Sequence, residues 1–120
     1  MESSLWYYRL VKKQQYDNIG HEYVQKINPS KKYALPETLL YLAGKIENKK
    51  VLDLACGDGY YTRILAKLNP QKIVGVDISS TMIDIAKAKE EEVPLGVEYI
   101  QQDVLSLSLS EEFDVITAVY

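Results

Sequence analysis

The stretch Val51-Leu-Asp-Leu-Ala-Cys-Gly-Asp-Gly59 constrains this chain more than any other. A short apolar run, interrupted once by Asp53, leads directly into a turn that holds two glycines and a second acid, Asp58. Apolar runs of this length bounded by turn residues are buried strands. Glycines at the exit let the backbone bend sharply and let a ligand touch it. The stretch therefore predicts a strand–turn–helix unit, with its turn at the carboxyl end of a strand.

The rest of the pattern extends that unit. Strands are predicted over 51–55, Lys72–Asp77, Val97–Gln101 and 113–119, with helices over 60–68 and 79–91 between them. Asn69-Pro70 stops the first of these helices. Thr81 with Asp84 has capping-box spacing at the start of the second, where Met82, Ile85 and Ala86 share a face. Strands separated by such helices form βαβ units and a parallel sheet with right-handed crossovers. The alternating run 104–110 is expected to be a loop or short turn, because it must return the chain to the start of the fourth strand. Before the first strand, residues 36–48 are expected to be a helix opened by Pro36, with Leu39, Leu40, Leu42, Ala43 and Ile46 on one face. The first thirty residues read as one or two short helices. The organisation is thus an N-terminal helical cap over 1–48 and an α/β unit over 49–120.

The acids fall where ligands of such sheets bind, beyond the carboxyl ends of the strands. Asp53 and Asp58 flank the first turn, Asp77 ends the second strand and Asp103 follows the third. A dinucleotide site would rest a pyrophosphate on this turn. Thr62, however, stands where the G-x-G-x-x-G fingerprint has its third glycine, and the charge of Asp58 repels phosphate. An acidic turn suits the ammonium and sulfonium of S-adenosylmethionine instead. Asp77 lies eighteen residues after Gly59, close to the offset of about 20 at which an acid accepts from ribose hydroxyls. For an adenosine ligand held there, Ile78 would offer an apolar face to the base, Asp103 would accept from the adenine amino group, and the Val104 amide would face a ring nitrogen. Each acid alone also has a plainer role, as a partner for turn amides, a helix-cap neighbour or a strand end.

Composition narrows the partners. The net charge is −3, the pI about 5.2, and the lysine pairs are scattered, so nothing points to nucleic acid or to a membrane surface. The single cysteine, Cys56, allows no internal disulfide and fits a reducing compartment. No apolar run approaches the roughly 18 residues of a membrane span, and the N-terminus lacks a signal-peptide layout, so a cytoplasmic location is expected. Without a Cys/His cluster no metal site is expected. His21 has no identified partner acid and reads as a surface residue.

Four blocks carry a family resemblance: Val51 to Gly59, Val74-Gly-Val-Asp-Ile-Ser79, Glu98-Tyr-Ile-Gln-Gln-Asp-Val104 and Phe113-Asp-Val-Ile-Thr-Ala-Val119. From about residue 48 onward the chain resembles the N-terminal part of a class I S-adenosylmethionine-dependent methyltransferase. The resemblance implies a Rossmann-like, doubly wound parallel sheet in the order 3-2-1-4, the start of the family's 3-2-1-4-5-7-6. It implies cofactor roles for Asp53, Gly57, Gly59, Asp77, Ile78, Asp103 and Val104. Ala55 departs from the glycine usual at its position, which implies a tightened turn. Residues 16–23 are similar to the leading helix of small-molecule members, which implies cofactor contacts from Tyr16 and Tyr23; aromatic packing on the sheet is the equal alternative. Tyr120 stands where members place residues near the transferred methyl group.

The implied activity is methyl transfer to a small molecule, with any general base outside the residues identified. A non-catalytic module binding S-adenosylmethionine or its demethylated product is the alternative, and an NAD-dependent oxidoreductase a third. With strand four as the last strand, its outer edge is expected to mark either a fragment or a site of self-association. The 120 residues alone are expected to have little or no transferase activity.

Overall fold

The computed structural model describes Lys13, Asp17 and residues 36–119. Four strands, β1 (Lys50–Leu54), β2 (Lys72–Asp77), β3 (Val97–Gln101) and β4 (Val115–Ala118), form one sheet in the order β3-β2-β1-β4. All three pairings are parallel, as the alternation of strands and helices requires. The connecting elements are α1 (Pro36–Ala43), α2 (Tyr60–Ala66), α3 (Ser80–Glu92) and a 3-10 turn at Val104–Ser106.

Register decides which side chains share a face. Val51, Ile73, Val97 and Val115 line up across the sheet, and so do Asp53, Gly75, Tyr99 and Thr117 two residues on. On this face Leu65 and Ala66 of α2, Ile83 and Ala86 of α3, and Leu39 of α1 complete one buried cluster. Leu52, Val74 and Val76 point the other way and form a second, smaller cluster with Leu54, Ile100, Leu107, Leu109 and Phe113. β2 is buried on both faces along its interior, which explains its unbroken Ile-Val-Gly-Val run.

Several boundaries differ from the sequence expectation. α1 ends at Ala43 rather than near residue 48, because Gly44 adopts φ 71° and its N–H closes on the Leu40 carbonyl at 3.3 Å. Ile46 is still only 1% exposed, held by the loop rather than by a helix. The start of α3 is capped by Ser79, whose hydroxyl accepts from the Met82 amide; Thr81 and Asp84 do not form the expected box, and Asp84 is exposed. β1 stops at Leu54, so Ala55 belongs to the turn. β4 is shorter than expected, since Phe113 and Asp114 precede it; Asp114 exchanges two hydrogen bonds with Lys50 there. The alternating run 104–110 pairs with no strand. Its Leu107 and Leu109 lean on the second face of the sheet, which accounts for the alternation.

Candidate functional site

The turn after β1 is shaped by left-handed backbone at Ala55 (φ 53°), Gly57 (φ 56°) and Gly59 (φ 80°). For alanine this conformation costs about 1 kcal/mol, so Ala55 holds its place in the turn at the expense of strain. The turn is tied to β2 by the Cys56 N–H donating to the Val76 carbonyl at 3.0 Å. The two glycines serve different ends. A Cβ on Gly59 would lie 2.8 Å from Cζ of Tyr99, whereas one on Gly57 would meet nothing within 4 Å. Gly59 is thus dictated by the ring packed beneath it, and Gly57 leaves the upper side of the turn open. Gly75 on β2 makes room for the same ring, with its Cβ position 2.9 Å from Tyr99. Burial raises the Tyr99 phenol to about 12 despite the charge of Arg63.

Asp53 is only 2% exposed and lies under the turn. It accepts from the Thr62 hydroxyl of α2 at 2.6 Å and from the Thr117 hydroxyl of β4 at 2.8 Å. Burial pushes its carboxyl up, the two hydroxyls oppose that, and the charge of Asp77 adds to it. The position where a dinucleotide fold keeps its third glycine is therefore used here to bond helix to strand. Asp58 is also buried, at 8% exposure, and pairs with Lys89 of α3 at 2.7 Å. The sequence assigned it a direct attraction for a cation. The Lys89 ammonium beside it partly offsets that charge.

Asp77 closes β2 at the centre of the rim. One of its oxygens accepts from the Gly57 amide and the other from the Ser79 amide, each at 2.9 Å. A carboxylate offers about four lone-pair sites, so two such bonds orient it and leave capacity for a ligand. Ile78 is half-buried beside it, and the Gln101 side chain donates to the Ile78 carbonyl at 2.9 Å. Asp103 caps the 3-10 turn, accepting from the Leu105 amide at 2.9 Å, and Val104 is exposed next to it. The structure thus brings the turn, Asp77, Ile78, Asp103 and Val104 to one edge of the sheet. Tyr16, Tyr23, His21 and Tyr120 lie outside the described residues. Burial, with the charges of Asp77 and Asp53, pushes the Cys56 thiol well above the usual range and so disfavours its thiolate.

Four functional partners escaped the sequence. Ser79 carried a signal, since a serine just before an apolar-periodic run is a helix cap. Thr117 and Asp17 carried none, because their partners Asp53 and Ser79 are distant in the chain, and Thr62, nine residues from Asp53, stood out only as the absent third glycine. Among the described residues no group of acids, histidines and cysteines could hold a metal, and no helix is long and apolar enough to cross a membrane.

A family model described as a methyltransferase domain matches residues 51–120. The chain is 37% identical over 87 residues to the ubiquinone biosynthesis O-methyltransferase of Coxiella burnetii, which covers 70% of this chain and 37% of that protein. It is also 37% identical over 81 residues to the demethylmenaquinone methyltransferase of Lactococcus lactis, covering 64% of this chain and 32% of the other. The solved DhpI–SAM–HEP complex matches with a TM-score of 0.71 at 30% identity, over 91% of this chain and 50% of that one.

Proposed function

This chain belongs to the methyltransferase-domain family, and from that premise we propose that its strand-end rim binds S-adenosylmethionine and that the whole protein methylates a small molecule. Asp77 carries the proposal. Its two oxygens accept from the Gly57 and Ser79 amides, which fixes the carboxylate and leaves lone pairs free for the hydroxyls of a ribose. The open side of Gly57 admits the ligand to the backbone, and Ile78 stands beside Asp77 as the apolar surface for a base. Asp103, with the Val104 amide, is the candidate reader of the adenine edge.

When bound, the cofactor supplies an electrophilic methyl group on a sulfonium. The chain's own part is to hold and orient it. Asp53 and Asp77 provide the negative potential that a sulfonium and an ammonium require. Catalysis of this kind rests chiefly on alignment of donor and acceptor, and no protein nucleophile is needed. The small-molecule acceptor is supported by relatives named for ubiquinone biosynthesis and for demethylmenaquinone. A cytoplasmic setting is proposed from the lone cysteine, and the absence of a nucleic-acid partner from the net charge of −3. Self-association through β4 is part of the same proposal: among the described residues β4 forms one edge of the sheet, and its Ile116 is 61% exposed.

Titration calorimetry tests the core of the reading. The chain should bind S-adenosylmethionine, and Asp77→Ala should weaken binding by about 2 kcal/mol, the cost of losing charged hydrogen bonds. No heat with the wild type, or equal affinity in the variant, would overturn it. Binding without turnover against a panel of quinol and phenol acceptors would favour the non-catalytic module.

A further inference from the structure

Asp17 lies far from the rim in sequence, yet its carboxylate reaches the first turn of α3. Its Oδ1 accepts from the Ser79 hydroxyl and, at 3.2 Å, from the Thr81 amide; its backbone carbonyl accepts from the Thr81 hydroxyl at 3.2 Å. Lys13, one helical turn before it, pairs with its other oxygen at 2.6 Å. Burial alone would raise the Asp17 carboxyl, but the bonds from Lys13, Ser79 and Thr81 prevail and hold it at about 2. The charge is therefore permanent in the physiological range, and it sits at a helix N-terminus, where negative charge is favoured.

Ser79 joins this contact to the rim. It is fully buried and bonded in three directions. Its hydroxyl donates to Asp17 and accepts from the Met82 amide, while its own amide donates to Asp77. The second oxygen of Asp77 takes the Gly57 amide. A continuous line of hydrogen bonds thus runs from the glycine turn through Asp77 and Ser79 to Asp17. A serine hydroxyl has a single proton, and here it is committed to Asp17.

We propose that Asp17 is a positioning residue for Asp77: by fixing Ser79 it aims the Ser79 amide at the rim carboxylate and holds that carboxylate ready for ligand. The functional side of this rests on the reading of the rim as a cofactor site. By linkage, seating of Asp17 and occupation of the rim then favour each other.

Amide hydrogen exchange without ligand and calorimetry with S-adenosylmethionine test it on the full chain, comparing wild type, Asp17→Ala and Asp17→Asn. In Asp17→Ala, exchange at Gly57 and Ser79 should quicken roughly tenfold while Val74 in the sheet interior is unchanged, and the cofactor Kd should rise about tenfold, within the usual range of coupling between sites. Asp17→Asn keeps an acceptor and should recover most of both effects. Unchanged exchange at Gly57 and Ser79, or faster exchange at Val74 by the same factor, overturns the proposal, the latter because it signals general destabilisation. A wild type that fails to bind the cofactor but shows the expected exchange pattern removes the functional reading and leaves the positioning role standing.

Discussion

On one face of the sheet Val51, Ile73 and Val97 are sealed beneath Leu65, Ile83 and Ala86 of two helices; on the other, Leu52, Val74 and Val76 are covered by Leu107, Leu109 and Phe113 from loops. The two faces use the same kinds of residue in alternation, but among the described residues only the first has helical cover. Ile116 of β4, on the second face, is 61% exposed. The helix-covered face is also the one that carries Asp53, Gly75, Tyr99 and Thr117, the residues that underlie the rim. The proposed rim therefore lies above the helix-covered layer, where side chains are least free to drift.

The largest expected contrast comes from one substitution made on each face. Ile73→Ala, at 2% exposure under the helices, should cost about 3 kcal/mol, while Ile116→Ala should cost under about 1 kcal/mol. Urea unfolding of both variants measures this, and similar losses would show that the second face is as tightly packed as the first.

A smaller contrast separates the two glycines of the turn. Gly59→Ala meets both left-handed backbone and the Tyr99 ring and should lose about 2–3 kcal/mol; Gly57→Ala meets only the backbone penalty and should lose about 1 kcal/mol. Thermal melts of the pair decide whether Tyr99 supports the turn from below, since equal losses would leave the ring without that role.

The smallest effect should be a gain. Asp53 has its carboxyl raised by burial, so its charge costs stability at neutral pH. Asp53→Asn should then stabilise the chain by about 1 kcal/mol at pH 7 while weakening cofactor binding. A raised carboxyl is protonated in the folded state before it is in the unfolded one. The gain should therefore shrink as pH falls and vanish below the ordinary value of 3.8. A loss of stability at pH 7 would show that the Thr62 and Thr117 hydroxyls more than offset the burial.

Much of the architecture was legible in the chain. β2 and β3 have the boundaries that their β-branched and aromatic runs predicted, and the order β3-β2-β1-β4 is the one implied by the family resemblance. The termini of α1 and β4 were less so. Gly44 ends a helix whose apolar periodicity runs on to Ile46, and the loop supplies that burial without helical geometry. At the site, the positions of the acids were legible but not what each one faces. Asp58 read as an open charge until α3 brought Lys89 against it.

Local patterning by itself determined the strands, the helices and the placement of acids at strand ends, because alternation, apolar runs and turn residues act between near neighbours. Only the tertiary structure decided which acids are buried, which are paired with a lysine and which hold backbone amides. Those outcomes depend on contacts such as Thr117 with Asp53 and Asp17 with Ser79, each joining residues more than sixty positions apart, and no local rule reaches across that distance.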